Sequence, residues 1–247
     1  MPLKQSEAIV LRSYPMREAD LLVTFFTRTD GKLRGVAKSA KKSKKRFGGA
    51  LEPLTVVRMN WEGREGNELV RLDSCEVLES PLSDRVDYPR AVGLAYVAEM
   101  LDQLLPDHEP NDAVFRLALA VLQHLRAGVL WLPLTYFDLW LVRLIGLLPE
   151  LHECLECGAV LNGHRAWFHP LADGMMCKQH KRLASSEMSG ESRALAAEIF
   201  RQPLDRLAKG ASWPRQRGDD LRKFLEQRVE RHLERKLTCA VMLGKVD

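Results

Sequence analysis

Several common features are missing from this 247-residue sequence, and each absence narrows what the chain can be. The opening residues, MPLKQSEAIV, have neither the charged leader nor the continuous apolar run of a secretory signal, so export is not expected and the cytosol is the default compartment. No stretch is clean enough for a membrane span, which needs about 20 apolar residues. The most apolar one, Leu130 to Leu148, carries Asp138 and Arg143 inside it and Pro133 near its start, so it reads as a buried helix. Cysteine is scarce. There are five, an odd number with three of them clustered, which argues against a disulfide framework and for a reducing compartment with a candidate metal site. No G-x-x-x-x-G-K-[ST] loop is present. Nor is there a carboxylate set of the two-metal nuclease kind: Asp84 with Asp87, and Asp219 with Asp220, read as helix-start or surface acids. No enzymatic activity is expected.

Charge of one sign is not in large excess, since 37 Lys and Arg against 33 Asp and Glu leave a formal net charge of +4. With 46% hydrophobic and 28% charged residues the chain is ordinarily globular. The distribution of charge is more informative than its sum. Nine basic residues and one acidic one lie between Arg28 and Arg46, whereas Pro81 to Glu150 holds five basic and nine acidic residues. A polyanion is therefore attracted to the N-terminal region and little to the middle.

The hydrophobic period changes once. Up to residue 80 the chain has five short runs of strand character: Ala8–Leu11, Leu21–Thr27, Lys32–Lys38, Leu54–Trp61 and Leu69–Leu78, divided by turn residues such as Thr29-Asp30-Gly31-Lys32. Five strands of this length fit a small barrel, with OB and SH3-like topologies both open on pattern alone. After Pro81 apolar residues recur at helical spacing. Ala91 to Leu105 forms one helix closed by Pro106, Asn111-Asp112 caps a second, and Leu134–Leu148, Ser192–Leu207 and Gly218–Leu243 form three more.

Two motifs carry chemistry. Cys154-Leu155-Glu156-Cys157-Gly158 is a metal knuckle, and Cys177-Lys178-Gln179-His180 repeats its two-residue gap, so that Cys154, Cys157, Cys177 and His180 can surround Zn²⁺ tetrahedrally. His152, His164 and His169 are rival fourth ligands. With no catalytic residues beside the cluster, a closed structural site is expected. Cys75 and Cys239 are packing residues. The second motif is Lys38 to Arg46, six cations in nine residues. On a flexible loop beside a barrel it would neutralise phosphates without reading sequence. Phe25, Phe26, Phe47 and Trp61 are candidate platforms for stacked bases, each with a competing role in the core.

Glu7-Ala8-Ile9-Val10-Leu11-Arg12, Glu18-Ala19-Asp20, Phe26-Thr27, Gly31-Lys32 to Val36-Ala37-Lys38, the basic loop before Leu51-Glu52-Pro53-Leu54, Phe137-Asp138-Leu139-Trp140-Leu141, Leu144 to Pro149 and Cys154 to Gly158 follow one another in the order found in the bacterial RecO family of DNA repair proteins, which the chain resembles nearly end to end. The resemblance implies an α+β chain: a five-stranded OB-fold barrel in residues 1–80, then an α-helical domain in 81–247 with a zinc-knuckle insertion at about 150–183. It implies a recombination mediator, cytoplasmic and nucleoid-associated, that binds single- and double-stranded DNA and anneals complementary strands. With RecR and single-stranded-DNA-binding protein, such a mediator helps load RecA. Expected DNA contacts are Lys32, Arg34, Lys38, Lys41, Lys42, Lys44, Lys45 and Arg46. Basic residues Arg222, Arg228, Arg231 and Arg235 of the last helix are candidates for meeting an acidic tail. The family's zinc motif usually closes with a second CxxC, where this chain has Cys177 and His180. An RNA-binding adaptor with an OB-fold and a zinc ribbon, a nucleic-acid enzyme and a purely structural scaffold are the competing classes.

Overall fold

A computed structural model of the chain describes residues 3–63, 68–81, 85–161, 163, 165–209 and 213–246. Asp84, His164 and most of the turn after Trp61 lie outside these. By packing, the chain divides into two compact units, Met1–Gly128 with Val241–Val246, and Val129–Ala240.

In the first unit β1 (Leu3–Pro15), β2 (Leu21–Thr27), β3 (Gly31–Ala37), β4 (Val56–Glu62) and β5 (Val70–Glu79) form a five-stranded barrel in the OB-like order β1-β2-β3-β5-β4. Long β1 pairs antiparallel with β2 through its second half and with β4 through its first, and a register shift between Val10 and Arg12 lets it bend from one partner to the other. β3 and β5 run parallel. Alternation sends Ala8, Val10, Val23, Phe25, Leu33, Val57, Met59, Trp61 and Leu72 inward, where Phe25 meets Trp61 edge to face at 6.1 Å between ring centroids.

Phe26 points the other way and is nevertheless buried, because its ring packs at 5.6 Å against Phe115 of α2 (Asp112–Arg126). α1 (Tyr88–Leu104) is capped by the Asp87 carboxylate, which accepts from the Arg90 N–H, and α2 by the Asn111 side chain, which accepts from Val114. Both helices therefore belong with the barrel in one unit, although their sequence period groups them with the helices that follow.

The segment leaving α1 is docked tightly. Lys32 and Asp107 form a parallel bridge, the His108 N–H donates to the Lys32 carbonyl at 2.9 Å, and the Glu109 backbone crosses directly over Gly31. Gly31 has φ +74°, and a Cβ there would lie 2.4 Å from Glu109 backbone atoms.

The second unit opens with α3 (Trp131–Leu144), which starts with Pro133 in its first turn and ends where Gly146 turns left-handed. Then come β6 (Ala166–Phe168), β7 (Ser186–Met188), α4 (Gly190–Arg201), α5 (Leu204–Ala208) and α6 (Asp219–Leu233); α7 (Thr238–Leu243) begins in this unit and ends in the first. Two helices expected to be continuous are broken. Pro203 pushes Gln202 to extended backbone and separates α4 from α5. Glu234 turns left-handed at φ 54° after α6, and the buried Glu230 carboxylate accepts from the Leu237 N–H and Lys236, fixing the bend before α7.

Gly31→Ala should destabilise the protein by about 2–3 kcal/mol in urea unfolding, from positive φ combined with the backbone clash. A cost below about 0.5 kcal/mol would mean that Glu109 does not sit where the structure has it.

Candidate metal centre and nucleic-acid face

Cys154, Cys157, Cys177 and His180 converge as the spacing predicts: their ligand atoms all lie within 4.8 Å of one another. The first knuckle curls because the Gly158 N–H donates back to the Cys154 carbonyl at 2.8 Å, with Gly158 at φ 69°. A hairpin brings the second knuckle to it. Trp167 and Met176 exchange backbone hydrogen bonds of 2.9 and 2.7 Å, and the Leu155 N–H donates to the Met175 carbonyl. Cys177 Sγ and Cys154 Sγ lie 3.2 and 3.8 Å from His180 Nδ1. His152 and His169 stand outside the cluster; the His169 ring accepts from the Leu171 N–H instead.

Electrostatics favour metal-ready donors at two of the three thiols. Burial pushes the Cys154 thiol up, but backbone N–H groups of Cys177, Cys157 and Glu156 outweigh it and bring it down to about 6. Burial also opposes ionisation of Cys177, which its hydrogen bond with His180 overcomes, holding its pKa below the usual thiol value. Cys157 is raised: the Ala159 N–H favours its thiolate, and the competing Cys154 and Cys177 sulfurs together with burial outweigh that contact. Contacts with Cys177 and Cys154 hold the His180 imidazole above its ordinary value. Three sulfurs and one nitrogen form a complete tetrahedral donor set for a borderline-soft ion, without a position reserved for water or substrate.

The basic segment differs from the flexible loop expected. It is a packed connector between β3 and β4, with a 3₁₀ turn at Ala40–Lys42 and with Ala40, Phe47, Ala50, Leu51 and Leu54 buried. The Ser39 N–H donates to Asp20 Oδ1 at 2.8 Å and the Lys41 N–H to the Ala19 carbonyl, so the connector is pinned to the β1–β2 turn. Between them runs a groove of about 810 Å³ lined by Ser13, Pro15, Leu21, Lys41, Lys44 and Phe47 among others.

The eight expected DNA cations divide into two groups. Lys32 donates to the Asp102 carbonyl at 2.7 Å and pairs with Asp107 at 3.3 Å. Arg34 donates to the same Asp107 at 2.9 Å. Arg46 donates to the Lys38 carbonyl at 2.6 Å and lies over the Phe47 ring. These three are already engaged. Lys38, Lys41, Lys42, Lys44 and Lys45 are exposed and, among the described residues, form no ion pair. Phe25, Phe26, Phe47 and Trp61 are all at most 2% exposed, so none of the four is a stacking platform.

The basic stripe expected along a continuous last helix lies on α6 and the turn after it, and is also mostly engaged. Arg222 is buried and donates to Thr135 and to backbone carbonyls, while Arg228 and Arg231 grip Asp173 at 2.8 and 3.0 Å. Only Arg235 of the four stays exposed without an ion pair among the described residues. Sequence reasoning missed Asp107, Asp102 and Asp173 as partners, and with separations of 55 residues or more no local pattern could have revealed them.

Comparison with known proteins agrees with this architecture. The family model described as Recombination protein O N terminal matches residues 1–81, and Recombination protein O C terminal matches 85–238. The chain belongs to the RecO family of DNA repair proteins. It is 65% identical over 245 residues to the DNA repair protein RecO of Koribacter versatilis (strain Ellin345), covering 99% of this chain and 100% of that one. It is 34% identical to the RecO protein of Anaeromyxobacter sp. (strain Fw109-5), over 96% and 94% of the two chains. Both relatives carry the name of a DNA repair protein. No described helix is long and apolar enough to cross a membrane.

Cys177→Ser and His180→Ala should each reduce bound metal from about one ion per chain to well below that by elemental analysis, whereas His152→Ala and His169→Ala should not. Full loading of Cys177→Ser would refute the ligand set. Separately, Phe47→Ala should cost about 3–5 kcal/mol of stability in chemical denaturation; an unchanged unfolding midpoint would return Phe47 to the surface.

Proposed function

We propose that this RecO family member is a DNA-binding recombination mediator whose barrel works as an OB-fold. The observation that carries this reading is the row of exposed lysines, Lys38 to Lys45, anchored beside a groove on the barrel. Phosphates neutralised there release their condensed counterions, giving salt-dependent binding indifferent to sequence. With the repulsion between two bound strands screened, complementary bases pair, and pairing itself supplies the specificity. The protein makes and breaks no bond.

The reading assigns DNA binding chiefly to residues 1–80 and partner binding to the helical part, 81–247. Family membership supports RecR and single-stranded-DNA-binding protein as partners, RecA as the indirect beneficiary, and a cytoplasmic, nucleoid-associated setting. Zn²⁺ is the metal that best suits a Cys₃His donor set. Bound, it supplies a structural crosslink. Cys154 is the buried donor of that crosslink and Cys177 and His180 are half-buried, and the saturated donor set leaves no position for chemistry.

Reversal of Lys41, Lys42, Lys44 and Lys45 to Glu should abolish annealing of complementary oligonucleotides. It should also lower the slope of log K against log salt for single strands by about 3, at roughly 0.7 for each phosphate no longer neutralised. Annealing that survives the reversal would refute the connector's role. Binding that persists without annealing, with a preference for structured RNA, would favour the adaptor class.

A further inference from the structure

With the four sequence-predicted aromatics buried, the barrel offers a different one. The register sets Tyr14 opposite Leu22, Leu22 opposite Val36, and Val36 opposite Arg71, in one row across β1, β2, β3 and β5. The adjacent row, through Val23, Gly35 and Val70, sends Val23 and Val70 into the core, so the Tyr14 row faces outward. Tyr14 is 47% exposed, Leu22 and Val36 are half-buried, and Arg71 is exposed. Three strand spacings make the row about 14 Å wide.

Tyr14 is also held in place. Asp102 of α1 pairs with Arg12 Nε at 2.8 Å, and Arg12 Nη1 donates to the Tyr14 hydroxyl at 2.9 Å. The ring is thus tethered at its tip while much of its surface stays open to solvent. Cations flank it. Arg34, in the next outward row with Arg12 and Thr24, keeps 54% of its side chain exposed and shares a single Asp107 carboxylate with Lys32, and Arg71 stands 4.0 Å from Glu62. Lys38 is exposed one residue beyond β3, and the β1–β2 turn that follows Tyr14 is pinned to the lysine connector.

We infer that Tyr14 is a stacking platform for an unpaired base, and that the outer row Tyr14–Leu22–Val36–Arg71 makes this barrel face a single-strand binding site. This rests on the DNA-binding reading above and adds a residue and a strand preference to it. A base inside a duplex has both faces covered by its neighbours, so the platform rewards single strands, whereas the connector lysines attract phosphates of either form. Arg34, Lys38 and Arg71 carry the backbone on either side of the stacked base.

The test measures affinities of the full-length protein for a fluorescein-labelled oligo-dT and for a duplex of equal length, across a salt series. Tyr14→Ala should lower oligo-dT affinity about 10-fold and the single-strand to duplex affinity ratio by a similar factor. Its salt slope should match the wild type, because every cation is retained. Tyr14→Phe, which keeps the ring, should stay within about 2-fold. Tyr14→Trp should report the contact directly, its fluorescence quenched by oligo-dT and not by duplex. Unchanged oligo-dT affinity in Tyr14→Ala, equal losses on both DNA forms, or a Tyr14→Trp signal indifferent to oligo-dT would each overturn the platform. The two readings fail separately: salt-sensitive binding with undiminished oligo-dT affinity in Tyr14→Ala removes only the platform, whereas wild-type binding insensitive to salt removes the DNA reading itself.

Discussion

Strand β3 carries three demands at once, and much of the first unit follows from how its seven residues meet them. Leu33 and Ala37 go inward to the barrel core, Lys32, Arg34 and Val36 go outward, and Gly31 yields its side-chain space to the chain leaving α1. That chain brings Asp107 to the two outward cations. Like charges on alternate residues of one strand face repel, and one shared carboxylate relieves this while keeping Arg34 half open to solvent. The burial of Asp107 works against its ionisation, and hydrogen bonds from Arg34 and Lys32 still hold its carboxyl below the usual range. The α1 terminus and the cationic strand are therefore one electrostatic unit. Arg12 extends it: its pKa is raised despite partial burial, by the Tyr14 hydroxyl and Asp102.

The five strands, the helical period after Pro81 and the metal quartet were all legible in the sequence, because each is written locally. Alternation marks the strands, and two-residue gaps between ligands mark the knuckles. Pro203 was a legible break inside the single helix expected from Ser192 to Leu207. Glu234 was not legible, since the buried Glu230 carboxylate that fixes the bend is an ordinary helix residue until the fold covers it. The roles of cations were the hardest to read. Lys32 and Lys42 look alike in sequence; only a carboxylate 75 residues away from the first distinguishes a clasped lysine from an open one. Arg222 shows the same limit: as part of a basic stripe it suggested a partner surface, yet it is a buried donor to Thr135 whose pKa desolvation lowers.

The segment that carries the Cys154–His180 cluster has only a small core of its own, in which Ala166, Phe168, Met175, Met176 and Met188 are buried. β6 and β7 contribute three residues each, and Leu155, Val160, Leu171 and Leu183 stay exposed where a larger domain would bury them. A metal held by Cys154, Cys157, Cys177 and His180 would add to that small core, since a crosslink among four side chains needs no apolar volume. Replacing the fourth thiolate by His180 changes the net charge of the donor set and leaves its count and its tetrahedral preference intact.

The basic connector shows the opposite economy. A run of lysines binds phosphate wherever it is, but on a mobile loop each contact also costs the ordering of backbone and side chain, about 1–2 kcal/mol per residue for the backbone alone. Here Ala40, Phe47, Ala50, Leu51 and Leu54 anchor the connector in the barrel, so the backbone is ordered before any ligand arrives. On the proposed reading, the apolar residues within and just after the basic run are therefore as important to polyanion binding as the lysines. Phe47 illustrates this: as an exposed ring it would contact one base, whereas as a buried one it fixes the end of the run of cations that precedes it.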